Sequence, residues 1–598
     1  TFDETIEFSD TLRAFLDKYP HVKTHVMALY GSYRSCSRHA GGVVVGEKLD
    51  QYMPLIASKG VRQTPWSEGQ NVRQLEPLGF IKFDILGLST LRMIEGCIER
   101  ILIKQGLEKP TFKDIRSFYN DNLHPDKIDL KDKGVYENVF HKGKWAGIFQ
   151  FTEKGAQSFA QRAQPNSIID IAAITSIYRP GPLSAKVDKH YVNAINDPLS
   201  VNYVHELVEE VTKETYGFLI FQEQIALLAY HLGDGISMDE ANLLRKVLTK
   251  KGTGKGHEVK EAIKKKFIKG STDKGLTEAK AEELWKTFEY FSGYGFNKSH
   301  AVSYSIISFQ CAWLYNYYPT EWMCSFLDRE PDTRKEKAIN IAKSHGFTIG
   351  DIDVNVSGEN WTADSPTSLV APLTTIKGLG EKAIEEIIAN RPFLTVDDVL
   401  FNEDIVYRKF NKKAMVALSL AGALKGLQDN RFSGDEHFHE ACFQNRPKNP
   451  KKFLAQIEEH KDKGDFSKDR RIENLTEITG IFPINMVYDE ITKMKLESRF
   501  IPPISEFDAD LGACWGIPRN INVRKSKNKK WFAIVDLIDS NNVLTKVRIW
   551  NVNHEKIKKQ IVLNEVYAIK PNYSDGWGFS TRGHVDNTWC RMTTHMEE

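Results

Sequence analysis

Two hydrophobic periods share this chain, and the change from one to the other limits what it can fold into. From about residue 93 to 330 apolar positions recur at helical spacing with little β alternation. From Trp515 onward they alternate in short runs separated by turn residues. A 3.6-residue period places apolar side chains on a helix stripe, whereas a period of two places them on one face of a strand. The chain therefore reads as multidomain α+β, with a mainly helical body and a small C-terminal β-barrel of OB type. Its 598 residues suit roughly three to five units.

Residues 1–38 read as a short helical segment without obvious chemistry. Residues 39–60 hold the β-rich run Gly42-Val43-Val44-Val45. The stretch from Gly79 to Gly87 alternates like a strand, and the pattern from Ser89 is helical. Two short helical patterns flank glycine turns in 370–425, and the Lys/Asp-rich stretch 441–470 reads as a polar linker. No apolar run reaches the length of about eighteen residues that a membrane span needs. The first residues lack the charged and apolar regions of a signal peptide. Seven scattered cysteines without a C-x-x-C pair argue against a zinc ribbon or a disulfide framework and fit a reducing cytoplasm.

The net charge of +2 does not announce a polyanion partner, but its distribution is uneven. Eight lysines fall between Lys250 and Lys269, and a second basic run extends from Arg524 to Lys530. Either run can be a solvated surface; two of them beside glycine turns and aromatic residues favour nucleic acid.

Five local patterns carry chemistry. On the strand from Phe80 to Gly87, Lys82 and Asp84 share a face opposite Phe83 and Ile85. That carboxylate suits a magnesium ion in phosphoryl transfer or, alternatively, a structural pair with Lys82. Ser237-Met238-Asp239-Glu240 is a capping box. The helix it starts has Ala241, Leu244 and Leu248 on one face and Asn242, Arg245, Lys246 and Thr249 on another, with Lys250, Lys251 and a glycine-rich loop following. In the run from Gly293 to Ala301, Asn297 or Ser299 caps a long helix that Pro319 stops. Lys298 and His300 stand at its anion-favouring end, and Tyr304, one turn on, offers a flat surface to a base or sugar. Finally, Ile376-Lys377-Gly378-Leu379-Gly380-Glu381-Lys382 has the helix-hairpin-helix pattern, whose glycine turn presents backbone N–H groups to a DNA phosphate. Lys527, Lys529 and Lys530 before Trp531 on the barrel suit a single strand.

In their order along the chain these segments resemble the C-family DNA polymerases, typified by the bacterial DNA polymerase III alpha subunit. Matching stretches include Arg38-His39-Ala40-Gly41-Gly42, Lys82-Phe83-Asp84-Ile85-Leu86-Gly87, Gly147-Ile148-Phe149-Gln150, Tyr178-Arg179-Pro180-Gly181-Pro182, Thr215-Tyr216-Gly217, Phe221-Gln222-Glu223-Gln224, Leu244-Arg245-Lys246 and Tyr294 to Ala301. The resemblance spans about residues 30–570 and implies two-metal nucleotidyl transfer with Mg2+. Asp84 matches the third of the family's three palm aspartates, the metal ligands. His39, Lys82, Arg179, Arg245, Lys246, Lys250, Lys298, His300 and Tyr304 then face the triphosphate or primer terminus. Lys377, Gly378, Gly380, Lys382, Lys527, Lys529, Lys530 and Trp531 face DNA. The implied division is a thumb remnant (1–38), the second part of a polymerase-beta-like palm (39–92), fingers (93–330), a helical region with the hairpin (331–440), a linker and connecting segment (441–514) and the barrel (515–598).

The sequence also departs from the family. It lacks the P-D-x-D-x-D-F motif that carries the first two catalytic aspartates, the phosphoesterase-like domain, and a convincing Q-x-x-L-F-like clamp-binding peptide. The chain is therefore expected to be a partial sequence, a split subunit or an intein-processed product. It is expected to need a separate N-terminal palm portion and to act on primer–template DNA, single-stranded template and deoxynucleoside triphosphates in a bacterial or phage-infected cell. A sliding clamp is a further candidate partner. The alternative is a non-catalytic DNA-binding module or an inactive polymerase remnant.

Overall fold

The computed structural model describes every residue except 1, 31, 33–38, 40, 59, 67–73, 86, 180–181, 184–185, 250–254, 292–294, 332–333, 481, 508–511, 527–529, 541–542, 575–577, 582–584 and 593–598. The chain divides into two compact units, Thr1–Ser89 and Thr90–Glu598.

The first unit opens with three helices, Phe2–Phe8, Asp10–Lys18 and His21–Leu29. Ser9 caps the second by accepting the Leu12 N–H, a standard remedy for an unpaired helix-start donor. Four three-residue strands follow: β1 Gly42–Val44, β2 Ile56–Ser58, β3 Val61–Gln63 and β4 Lys82–Asp84. They form two separate antiparallel pairs, β1 with β4 and β2 with β3.

Most of the second unit is helical, as the periodicity predicts. Residues Ile168–Ile177 form a helix that is apolar almost all round and nearly wholly buried, which is the pattern of a core helix. The long helix Lys298–Tyr317 packs against it. Pro319, whose ring cannot continue a helix, starts the next one, Pro319–Arg329. A smaller core joins the helices Gln222–Leu232, Met238–Thr249, Lys255–Asp273 and Glu278–Phe291 around Phe267, Trp285 and Phe288. The capping box of the 238–249 helix forms as expected, with Ser237 and Glu240 each accepting the other's N–H. Ala241, Leu244 and Leu248 are its buried face.

Strands β5 Thr348–Gly350, β6 Thr362–Ser365 and β7 Ser368–Val370 make a small sheet in the order β5-β7-β6. The helices Glu381–Ala389, Val396–Phe401 and Lys412–Leu420 follow. Stretch 441–470 is not a linker. Asn449 caps a helix over Pro450–His460, and Phe443 and Phe453 are buried in the main core. Lysine-rich composition concealed the apolar residues, Phe453 in the Pro450–His460 helix and Ala441, Cys442 and Phe443 before it, that are buried there.

The barrel region holds β8 Cys514–Lys525, β9 Trp531–Ile538, β10 Thr545–Trp550, β11 Tyr567–Ile569, β12 Asn572–Ser574, β13 Gly578–Thr581 and β14 Trp589–Arg591. They form one seven-stranded sheet, β12-β13-β10-β9-β8-β11-β14, curled into an OB-type half-barrel. Its period-two pattern is realised in β9 and β10: Ala533, Val535 and Leu537 face the same core as Val547 and Ile549. Val535 is directly opposite Val547, and Ala533 opposite Ile549.

Candidate nucleotide- and DNA-binding sites

In the first unit, β1 and β4 run antiparallel with Gly42 opposite Asp84 and Val44 opposite Lys82. Alternation puts Lys82 and Asp84 on one face, and Lys82 Nζ lies 3.3 Å from Asp84 Oδ1. His39 approaches the same carboxylate, with Nδ1 3.8 Å from Oδ1. That nitrogen accepts the N–H groups of Gly41 and Gly42, so His39 also braces the start of β1. A Cβ at Gly42 would stand 2.8 Å from His39 Nδ1 and 3.2 Å from Lys82 Cδ, so glycine is what allows the three side chains to converge.

Asp84 remains 47% exposed. Among the described residues no group of three His, Cys, Asp or Glu side chains is placed to hold a metal ion. Magnesium favours an octahedral set of oxygens, so Asp84 fits it as one contributor and not as a complete site. The other face of the strand pair is apolar and uncovered: Val43, Ile81, Phe83 and Ile85 are all exposed.

In the second unit two chain segments 75 residues apart are tied together. Gln222 N–H donates to the Phe296 carbonyl and Phe296 N–H to the Ile220 carbonyl, while the Gln222 side chain donates to the Gly295 carbonyl (2.9 Å). This clasp fixes the start of the 298–317 helix. Asn297 is its cap, accepting the His300 N–H at 2.9 Å; Ser299, the other candidate, donates its hydroxyl to Asn297.

The anion-favouring helix end predicted from sequence is present, and a carboxylate occupies it. Glu223 accepts the Lys298 N–H at 2.9 Å and the Asn297 side-chain amide at 2.8 Å, and Arg245 lies 3.5 Å from it. Glu214 takes the Lys298 ammonium on both oxygens, at 2.6 and 2.7 Å. The structure thus brings Arg245 and Lys298 together on Glu223, with Glu214 on the Lys298 ammonium, two acidic residues that the sequence did not single out. Glu223 lies within the quoted Phe221–Gln224 run and Glu214 immediately precedes Thr215. Neither position signals that its partner lies 75 or 84 residues away.

Aromatic contacts extend the cluster. The Arg179 guanidinium lies 3.8 Å above the Phe296 ring, a cation–π arrangement. His300 meets Tyr304 edge-on at 4.2 Å and Phe296 at 5.3 Å. Tyr304 is backed by Phe149, stacked at 5.3 Å. The side chain of Lys246 and the whole of Lys250 lie outside the described residues.

The lysine run beyond this helix is largely compensated. Lys260, Lys264, Lys266 and Lys269 pair with Glu289, Glu282, Glu240 and Asp234 at 2.8, 3.0, 2.6 and 2.5 Å. This favours the solvated, salt-bridged surface over a polyanion site for that run.

In the hairpin, Gly378 sits at φ +98° and Gly380 at the N-cap of the 381–389 helix. Lys377 and Lys382 flank this turn, both exposed. On the barrel, Trp531 stacks on His554 at 4.5 Å and 11°, and Lys525 lies 4.8 Å from the same ring. The ring is thus already engaged, with exposed Lys530 beside it; Lys527 and Lys529 lie outside the described residues.

Three family models match the chain. Residues 1–87 match the bacterial DNA polymerase III alpha NTPase domain, 107–275 the finger domain of the same subunit, and 346–433 a helix-hairpin-helix motif. Among relatives, the DNA polymerase III subunit alpha of Aquifex aeolicus is 30% identical over 93% of this chain and 46% of its own length. That of Campylobacter jejuni is 31% identical over 71% of this chain and 34% of its own, and that of Caulobacter vibrioides 32% over 68% and 34%. The chain spans less than half the length of these relatives. Among the described residues no helix is long and apolar enough to cross a membrane.

Proposed function

We propose, from the premise that this chain is a bacterial DNA polymerase III alpha-like protein, that it forms the finger and DNA-holding portion of a template-directed DNA polymerase. Its substrates are primer–template DNA and deoxynucleoside triphosphates. The observation that carries this reading is the pair of carboxylates on the Lys298–Arg245 cluster. Cations and a helix N-terminus that hold carboxylates can hold phosphate oxygens by the same charge-assisted hydrogen bonds. In this reading Lys298 and Arg245 exchange Glu214 and Glu223 for the triphosphate. Arg179 and His300, set around Phe296, lie against the nucleotide or the primer terminus.

Asp84 contributes one carboxylate to a two-magnesium centre whose remaining ligands come from a palm portion outside these residues. The bound ions supply charge neutralisation at the reacting phosphate and activation of the primer hydroxyl. Lys82 orients the Asp84 carboxylate, and His39 holds the turn behind it. The exposed apolar face of Val43, Ile81, Phe83 and Ile85 supports further palm structure there, because a two-stranded sheet is marginal by itself. The hairpin grips duplex backbone and the barrel a single strand. Thumb remnant, palm segment and fingers are assigned to 1–38, 39–92 and 93–330, the hairpin region to 331–440 and the barrel to 515–598. A sliding clamp is a further partner in this reading.

Reconstitution tests the proposal. The purified chain alone should not extend a primer in magnesium and deoxynucleotides, and adding a polypeptide that carries the P-D-x-D-x-D-F portion should restore synthesis. Efficient extension by the chain alone, or none after complementation, would refute it.

A further inference from the structure

The hairpin region and the helix Lys468–Thr479 enclose a cavity of about 410 Å³ that shares no residue with the Lys298 cluster. Its walls include Phe438, Phe466 and Phe482, and among the hydrogen-bond donors of its lining are Lys343, Arg471 and Asn474. Asn474 is 6% exposed, yet its side-chain Nδ2 has no partner. Arg471, one turn earlier on the same helix face, holds Asp435 at 2.7 Å and Asp465 at 3.5 Å through a terminal nitrogen, while its buried Nε is unpaired. Lys343 has no carboxylate partner among the described residues, and burial alone pulls its ammonium below the ordinary lysine pKa.

Native proteins rarely bury such donors without acceptors. Asp351 and Asp435 also line the cavity, but Asp351 is exposed to solvent and Asp435 is engaged by Arg471 and by the Phe466 N–H at 2.7 Å. The surplus is therefore of donors, and the missing group is an anion rich in acceptor oxygens. Its size is bounded too. A free carboxylate would leave most of the volume and the Phe438 and Phe466 walls unused, whereas about 300–1,000 Å³ is the range of pockets for whole small molecules.

We propose that this cavity binds a nucleotide, its phosphate on Lys343, Arg471 and Asn474 and its base against the Phe438 and Phe466 side chains. Bases stack on aromatic residues without demanding a particular sequence. The same chemistry has two sources, a free mononucleotide and an unpaired nucleotide of a DNA strand held by the neighbouring hairpin. The site does not depend on the polymerase reading.

Calorimetric titration of the full chain with dTMP tests it, with thymidine as the phosphate-free control. Lys343→Met keeps the stem but removes the charge, and loss of an unpaired half-buried ammonium should leave the melting temperature unchanged or higher. A charge-assisted hydrogen bond amounts to roughly ten- to a hundredfold in binding. Lys343→Met and Asn474→Leu should each weaken dTMP by about tenfold or more, thymidine should bind at least as weakly, and Lys298→Ala should leave this binding intact. Competition by a (dT)12 strand, but not by the same strand with abasic sites, identifies the strand as the source; no competition identifies the free nucleotide. Binding of dTMP that is lost in Lys298→Ala but kept in Lys343→Met, or absent at millimolar concentration, overturns the proposal.

Discussion

Lys298 lays its ammonium on both carboxylate oxygens of Glu214, at 2.6 and 2.7 Å, across 84 residues of sequence. Its own backbone N–H is meanwhile taken by Glu223. One residue thus presents two donors, from side chain and main chain, and both rest on acidic side chains that are about one-third exposed. A polyanion arriving at this helix end meets competition from within the protein.

That competition has a measurable sign. Glu214→Gln removes the charge but keeps the shape, so in reconstituted enzyme it should lower the apparent Michaelis constant for deoxynucleotide by several fold. Lys298→Ala should raise it by roughly ten- to a hundredfold, the weight of a charge-assisted hydrogen bond. Steady-state kinetics with varied nucleotide separates the two. If Glu214→Gln also raises the constant, Glu214 acts only as a support for the lysine.

Much of this arrangement was legible beforehand, for reasons of range. The capping box at Ser237–Glu240, the Asn297 cap, the buried face of Ala241, Leu244 and Leu248, and the alternation of β9 and β10 are all set by near neighbours. The Glu223 and Glu214 contacts were not legible, because an acidic residue in a helix start reads as a dipole partner of its own helix. The helix at Pro450–His460 was hidden by its lysines: a single buried Phe453 secures it, and composition averages such an anchor away.

The two hairpin glycines should separate fold from binding. Gly378 is at φ +98°, and a Cβ there would come 3.1 Å from Lys413 Cε. Gly378→Val should therefore cost about 1–3 kcal/mol of stability as well as duplex affinity. Gly380 has an ordinary φ of −86° and nothing within 4 Å of a Cβ, so Gly380→Val should leave the melting temperature within a degree or two. If a phosphate approaches this turn, the same change should still weaken duplex binding by a similar factor on unrelated sequences. Binding should also fall steeply with salt. Anisotropy titrations at two salt concentrations read both effects, and undiminished affinity in Gly380→Val would place the phosphate contact elsewhere.

Acid should expose a buried histidine. His345 Nδ1 and the Tyr315 hydroxyl are hydrogen-bonded at 2.6 Å, and burial, helped by Lys144, depresses the histidine pKa from 6.5 to about 4. The unfolded chain therefore binds this proton at higher pH than the folded one. Stability from this residue is complete above pH 6.5, falls as pH drops towards 4, and levels below it, by at most about 3 kcal/mol. His345→Phe should flatten that part of the stability–pH curve relative to the parent, measured by urea melts from pH 4 to 7. Parallel curves for the two proteins would show that His345 titrates normally.

Asp84 decides between catalysis and mere DNA holding. Asp84→Asn keeps the size and the hydrogen-bonding capacity that Lys82, 3.3 Å away, would use, but removes the charge that a magnesium ion requires. If the carboxylate is a metal ligand, turnover in the reconstituted enzyme should fall by orders of magnitude, because phosphoryl transfer depends on electrostatic stabilisation at the reacting phosphate. Raising magnesium should recover part of the loss, and DNA affinity should not change, since the hairpin and barrel are untouched. A structural role predicts the reverse pattern. The pair is partly exposed, with Lys82 20% and Asp84 47% accessible, and exposed pairs contribute only about 0–1 kcal/mol; turnover would then stay near normal with a small drop in melting temperature. Single-turnover primer extension across a magnesium series, with a melt of each protein, distinguishes these outcomes. Near-normal turnover at every magnesium concentration would remove Asp84 from the metal centre and leave this chain a DNA-binding module.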